Sequence, residues 1–233
     1  KAGKTGVAPA SVRLFTHQLQ SVNQVQQNRS FVVTTGTGSG KSLSFFLPII
    51  DRILKAKEKD PTPKTRAIII YPMNALANSQ AEEIAKFMAN PGAKDLGLRV
   101  EPYTGQEKEA ARRSLAENPP DILLTNFMML ELILTRFDQE VDLRVVNNCQ
   151  GLEFLVLDEL HTYRGRQGAD VAMLVRRLRQ RLNAPEMICI GTSATMSSTG
   201  TPGDQKRTVA TVASKIFGAP IEETDVIDET LIR

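Results

Sequence analysis

Six short runs rich in β-branched and large apolar residues recur along the chain, at residues 31–35, 67–71, 98–103, 121–125, 154–158 and 187–191, with helix-period stretches between them. Alternation of this kind is the pattern of a parallel sheet whose crossovers are helices. Several of the runs are apolar at consecutive positions, as expected of strands covered on both faces. The chain is therefore read as an α/β domain, a mostly parallel central sheet flanked by helices. Leu43, Phe46, Leu47, Ile50 and Leu54 fall on one helical stripe, and Val171, Leu174, Val175, Leu178 and Leu182 on another. Proline and glycine mark loops at residues 57–64, 90–97 and 118–120. The polar stretch 197–204 is expected to close the domain, so that residues 1–196 form it and residues 197–233 are a linker. Within that linker Val209, Val212, Ala213, Ile216 and Phe217 space out as an amphipathic helix ending at Gly218, and the acidic remainder is an exit strand or a connection to a further domain.

Composition excludes several classes and singles out none. The 29 Lys and Arg against 26 Asp and Glu give a net charge of +3, too mild a bias to point to nucleic acid by itself. No apolar run is long enough to span a bilayer and no leader opens the chain, so no membrane partner is expected. Cys149 and Cys189 make neither a disulfide framework nor a metal cluster, and Cys189 lies in an apolar run that reads as core. A cytoplasmic protein is expected. The missing initiator Met and the polar end at Arg233 suggest a piece of something longer.

The strongest local signal is Thr35-Gly36-Thr37-Gly38-Ser39-Gly40-Lys41-Ser42, which follows a buried-strand run and precedes a helical one. Glycines let backbone N–H groups close around phosphate oxygens, and the helix N-terminus adds its positive end. Lys41 is placed to reach the β- and γ-phosphates of ATP, and Ser42 to ligate Mg²⁺. The bland alternative, a glycine-rich turn with no ligand, has to explain why strand, glycines, Lys-Ser and helix coincide.

Residues 154–161 read Phe-Leu-Val-Leu-Asp-Glu-Leu-His, two carboxylates just past an apolar strand. In open parallel sheets ligands bind beyond the carboxyl ends of the strands, which puts these acids opposite the phosphate loop. Asp158 is assigned to Mg²⁺ and Glu159 to the attacking water. Alone, an Asp-Glu pair there is an ordinary start to a helix.

Asp158-Glu159-Leu160-His161 resembles the DExH box of superfamily 2 helicases, and Thr192-Ser193-Ala194-Thr195 resembles their Ser-Ala-Thr motif. The resemblance implies a RecA-like fold and roles for His161, Ser193 and Thr195 in coupling the ATP state to movement. Leu14-Phe15-Thr16-His17-Gln18 resembles the adenine-reading segment, with Gln18 on the base and Phe15 packing nearby; ordinary packing is the alternative for Phe15 and His17. The resemblance also implies that Thr37, Gly38, Ser39 and Gly40 hold phosphate beside Lys41 and Ser42. Three segments resemble nucleic-acid-contacting motifs: residues 71–80 with Pro72 and Asn74, residues 103–106 with Thr104 and Gly105, and residues 125–130 with Thr125 and Asn126. As strand-to-helix turns they present hydroxyls and N–H groups to phosphates without reading sequence. Plain helix caps are the alternative for any one of them.

The longer string through Tyr163, Arg164 and Gly165 resembles DNA helicases of the YprA and Hrq type and related large bacterial helicases. That family implies ATP and Mg²⁺ as cofactors, DNA (single-stranded, with RNA the alternative) as partner, and a second RecA-like domain carrying an arginine finger worth roughly 10³–10⁵ in rate. Two function classes follow. One is the ATP-binding motor domain of an ATP-dependent DNA helicase or translocase; the other is a nucleotide-gated switch that binds without moving. The basic segment 176–181 is read as a solvated helix face rather than a nucleic-acid contact.

Overall fold

The computed structural model describes residues 14–34, 40–88, 97–136, 138–194 and 201–228. Each predicted apolar run becomes a strand: β1 (Phe31–Thr34), β2 (Ala67–Tyr71), β3 (Val100–Pro102), β4 (Ile122–Asn126), β5 (Phe154–Leu157) and β6 (Ile188–Ser193). A seventh, β7 (Val226–Asp228), follows near the end. The helices are α1 (Thr16–Gln26), α2 (Lys41–Lys59), α3 (Asn74–Met88), α4 (Glu109–Glu117), α5 (Phe127–Thr135), α6 (Glu140–Asn147), α7 (Gly165–Arg181) and α8 (Pro202–Phe217). All strand pairs are parallel, in the order β3-β4-β2-β5-β6-β1-β7.

Alternate residues of each strand enter different apolar layers, because successive side chains of a strand point to opposite faces. Phe31, Val33, Ala67 and Ile69 pack with Phe45, Ile49 and Ile53 of α2 and Val25 of α1. Val32, Ile68 and Ile70 pack on the other side with Leu130 and Ile133 of α5, Leu174 and Val175 of α7, and Phe217 of α8. This is why the central runs are apolar without alternation. The edge strand β3 has only β4 beside it; it is half-buried and shorter than its predicted run.

Several expectations need correcting. The sheet-facing side of α2 is formed by Phe45, Phe46, Ile49 and Ile53, while Leu43 is 43% exposed and Leu47, Ile50 and Leu54 are half-buried. The stripe is thus turned by roughly one residue's arc, about 100°. The loop expected from residue 57 starts only at Asp60, since Lys57 and Lys59 sit in the last turn of α2, where cations suit the helix dipole. Lys57 Nζ reaches Asp121 Oδ2 at 2.8 Å.

Residues 202–228 do not run off as a linker. Val209, Ala213, Ile216 and Phe217 of α8 lie in the core, and β7 pairs with β1 at the sheet edge. The arginines of residues 176–181 are not a merely solvated face either. Arg177 grips Glu131 of α5 at 2.5 Å, and Arg179 donates to the Pro185 carbonyl at 2.9 Å. Both cysteines are free and buried, and burial pushes the Cys189 thiol up to about 11. Among the described residues no helix is long and apolar enough to cross a membrane.

Candidate nucleotide and nucleic-acid site

All the candidate residues that the structure describes, apart from Gln18 on α1, lie at or just past the carboxyl ends of strands. The sheet order divides them into two groups. Lys41 and Ser42 follow β1, Ser193 ends β6, and Asp158, Glu159 and His161 follow β5. The turns with Pro72 and Asn74, Thr104 and Gly105, and Thr125 and Asn126 belong to β2, β3 and β4 on the other half of the sheet. Thr37, Gly38, Ser39 and Thr195 lie outside the described residues.

In the first group, β6 stands between β1 and β5, so lysine and acids face each other across one intervening strand. Parallel strands are about 4.8 Å apart, and the long Lys41 side chain covers the gap, with Nζ 3.7 Å from Glu159 Oε1. Thr192 of β6 fills the space between. Its hydroxyl donates to Asp158 Oδ1 and accepts from Glu159 N–H at 3.1 Å. Sequence reading passed over Thr192 as a site residue. The register creates its role: Leu157 pairs with Gly191, so the next residues out, Asp158 and Thr192, are neighbours.

Asp158 is only 9% exposed. Burial raises its pKa, the Thr192 hydrogen bond lowers it, and the neighbouring charges of Glu159 and Lys41 act in opposite directions. A carboxylate so placed is stabilised by a cation. Together with the hydroxyl of half-buried Ser42 it offers the hard oxygen donors that Mg²⁺ prefers.

Glu159 holds a left-handed φ of 52°. The other non-glycine residues with positive φ among those described are asparagines, which tolerate it; for Glu it costs roughly 1–3 kcal/mol. That turn swings the carboxylate back toward Lys41. Glu159 Oε2 is buried without a conventional hydrogen bond and lies 3.1 Å from His161 Nδ1, an ion pair when that ring is protonated. The same ring nitrogen lies 3.3 Å from Ser193 Oγ, so His161 stands between the acid and the Ser-Ala-Thr strand, its partner chosen by the ring's tautomer.

Gly40 caps α2 with a left-handed φ of 74°, and a Cβ there would lie 3.1 Å from Gln18 Nε2. Gln18 is buried; its Oε1 accepts from Phe15 N–H at 3.0 Å and its Nε2 approaches the Gly40 carbonyl at 3.4 Å. The ring of Phe15 is 61% exposed and stacked on His17, with centroids 5.5 Å apart. Phe15 thus presents an exposed, braced aromatic face beside the buried Gln18 amide.

The second group is wired differently. Asn126 is buried and its amide is spent inward: Nδ2 donates to Asn74 Oδ1 and to the Thr104 carbonyl at 3.3 Å, and Oδ1 accepts from Met129 N–H at 2.7 Å. Thr125 is fully buried and donates to the Tyr103 carbonyl at 2.6 Å. Tyr103 is in turn bonded to Asp142 at 2.5 Å, with the Arg112 guanidinium 5.6 Å from its ring centre. Burial, followed by that Asp142 bond, pushes the Tyr103 phenol up to about 12. These side chains lock the turns to one another. Beside them runs a trough of about 650 Å³ lined in part by Pro72, Asn74, Thr104, Gly105, Asn126 and Met128.

A fully parallel seven-stranded sheet with these groups along its carboxyl edge defines a RecA-like domain. The sequence signature of the DEAD/DEAH box helicases matches residues 15–201, and the chain belongs to that family. It is 31% identical over 194 residues to the ATP-dependent helicase YprA of Bacillus subtilis, covering 82% of this chain and 24% of the relative. Among solved structures, the DUF1998 helicase MrfA superposes with a TM-score of 0.72 at 28% identity, covering 94% of this chain and 31% of that one. The Mycobacterium smegmatis helicase Lhr bound to single-stranded DNA and AMP-PNP gives a TM-score of 0.71 at 25% identity, over 95% of this chain and 26% of that one. The chain thus spans about a quarter of the length of YprA.

Proposed function

We propose that this chain is the first RecA-like motor domain of an ATP-dependent DNA helicase or translocase, working with Mg²⁺ and a second RecA-like domain of the same parent. The observation that carries the reading is the meeting of Lys41, Asp158 and Glu159 around Thr192, on the same sheet edge as the turns of β2, β3 and β4. One edge then holds both the fuel and the track.

In this reading Lys41 draws in the β- and γ-phosphates, Gly40 and the start of α2 cradle them with residues 37–39, and Gln18 and Phe15 hold the adenine. Asp158 and Ser42 hold Mg²⁺, which supplies charge neutralisation on the phosphate oxygens. Glu159 orients and polarises the attacking water. His161, Ser193 and Thr195 carry the change at the acid pair toward the second domain. The turns with Pro72, Asn74, Thr104 and Gly105 meet the sugar-phosphate backbone, held in shape by Thr125 and Asn126. Single-stranded DNA is the proposed track, supported by the DNA in the Lhr structure.

The test is the ATPase rate of the full-length parent with and without single-stranded DNA. Strong stimulation by DNA is expected. Hydrolysis that ignores DNA, with DNA binding that depends on nucleotide, would favour a switch that does not move.

A further inference from the structure

The turn after β3 holds its own anion. Both oxygens of the Glu107 carboxylate accept from Thr104 N–H, at 3.0 and 2.9 Å. Oε1 also accepts from the Thr104 hydroxyl at 2.7 Å, and Oε2 from Gly105 N–H at 2.9 Å. Two convergent backbone N–H groups and a hydroxyl are the donors that a phosphate oxygen takes from a protein turn, and a carboxylate, likewise acceptor-only and anionic, satisfies them in the same way.

A helix cap does not account for this arrangement. The chain has a true capping box at Thr201 and Asp204, where the acid lies inside the first turn of α8 and Asp204 N–H bonds back to the threonine. Glu107 instead precedes its helix: α4 begins at Glu109, and the extended residue Lys108 is its cap. The turn is also braced without Glu107. Gln106 Oε1 accepts from Asn78 of α3 at 3.0 Å, and the Thr104 carbonyl accepts from Asn126.

We infer that Glu107 is an internal stand-in for a nucleic-acid phosphate, seated on the Thr104–Gly105 donors and displaced when a strand binds. The inference rests on the nucleic-acid reading proposed above and adds to it a residue that weakens binding. Its consequence is a domain that grips a strand less tightly than its donors allow. A motor that must release its track at each step needs such a limit, since a carboxylate ready to refill the seat lowers the cost of letting go of the phosphate.

The experiment is fluorescence anisotropy of a labelled mixed-sequence single-stranded oligodeoxynucleotide with the chain at low salt. Wild type is compared with Glu107→Ala, which empties the seat, and Glu107→Gln, whose amide N–H₂ opposes the turn's own N–H groups. Glu117→Gln removes an exposed acid from the end of α4 and controls for net charge. Both Glu107 variants are expected to bind several-fold more tightly than wild type, with Glu117→Gln close to wild type. Equal tightening in all variants would reduce the effect to charge and overturn the inference. So would unchanged or weaker binding in both Glu107 variants, or loss of folding in both, which would make Glu107 a structural brace. Wild type that binds while the Glu107 variants gain nothing sinks only the stand-in; no binding by any variant sinks the nucleic-acid reading along with it.

Discussion

The two halves of the sheet edge solve opposite electrostatic problems. Around β1, β5 and β6 the charged groups are left short of partners: Asp158 is raised by burial, Glu159 Oε2 lacks a conventional hydrogen bond, and Lys41 stands 3.7 Å off. Around β2, β3 and β4 the polar groups of the turns are satisfied by one another, through Asn126, Thr125 and Glu107, while the Tyr71 hydroxyl at the end of β2 is buried without a hydrogen bond. A small, highly charged ligand that must be bound and turned over is best met by groups with interaction energy still to give. A long, repetitive backbone is best met by turns of fixed shape, and there the side chains serve to fix the shape. Unmet charge marks the first kind of site, and closed hydrogen-bond networks mark the second.

The sharpest way to break this comparison is to quench the unmet charge. Glu159→Gln in the full-length parent is expected to cut steady-state ATPase on the order of 10²-fold or more while leaving ATP affinity near wild type. Near-normal turnover would remove the catalytic role and move the reading to the switch.

Lys41→Ala takes away the cation proposed to meet the phosphates. A charge-assisted contact is worth roughly 1.5–3 kcal/mol, so ATP affinity measured by calorimetry should drop by about 10- to 100-fold. Unchanged affinity would mean that the nucleotide sits elsewhere.

On the other half of the edge, Asn126→Ala leaves the Thr104 carbonyl and Met129 N–H without their partner. Denaturant unfolding should show a loss of about 1–3 kcal/mol. Binding of single strands should weaken alike for every sequence, in step with the lost stability, and with its salt dependence kept because an uncharged side chain releases no counterions. Weakened binding with unfolding free energy unchanged would instead make Asn126 a direct phosphate ligand and erase the distinction between the two halves.

The smallest effect concerns the acid itself. Because burial raises the folded-state pKa of Asp158, the folded chain binds this proton more tightly than the unfolded chain does. Its contribution to stability is therefore greatest at low pH and declines as pH rises from about 4, the unfolded value, through the raised folded value. Asp158→Asn removes this decline, so the ligand-free variant should melt slightly higher than wild type at neutral pH. A lower melting temperature there would mean that Asp158 is already well paired without a cation.

How far the sequence could be read varied with how much each residue's environment depends on distant chain. The acid pair and its strand were legible because β5 is buried on both faces and its apolar run ends at Asp158. Thr192 was not singled out, because its importance comes from lying beside Asp158, which only the β5–β6 register creates. For Thr125 and Asn126 the positions were legible as turns, but not the inward direction of their polar groups. Glu107 carried no signal, since an acid ahead of a helix is ordinary in sequence.

Local chemistry along the chain determined the parallel sheet, the order of its main elements and the placement of the candidate residues after strand ends. Strand hydrophobicity, turn formers and helical period are properties of neighbouring residues, and the sequence holds all of them. Tertiary structure decided which side of α2 faces the sheet, since the turned stripe is also apolar at helical spacing and periodicity ranks neither above the other. It also drew α8 and β7 into the core, where Phe217 and Val226 find apolar partners that no local pattern names. Its most consequential choice was the strand order. By setting β6 between β1 and β5 it fixed how far Lys41 stands from Glu159, and so which charges are left with interaction energy to give.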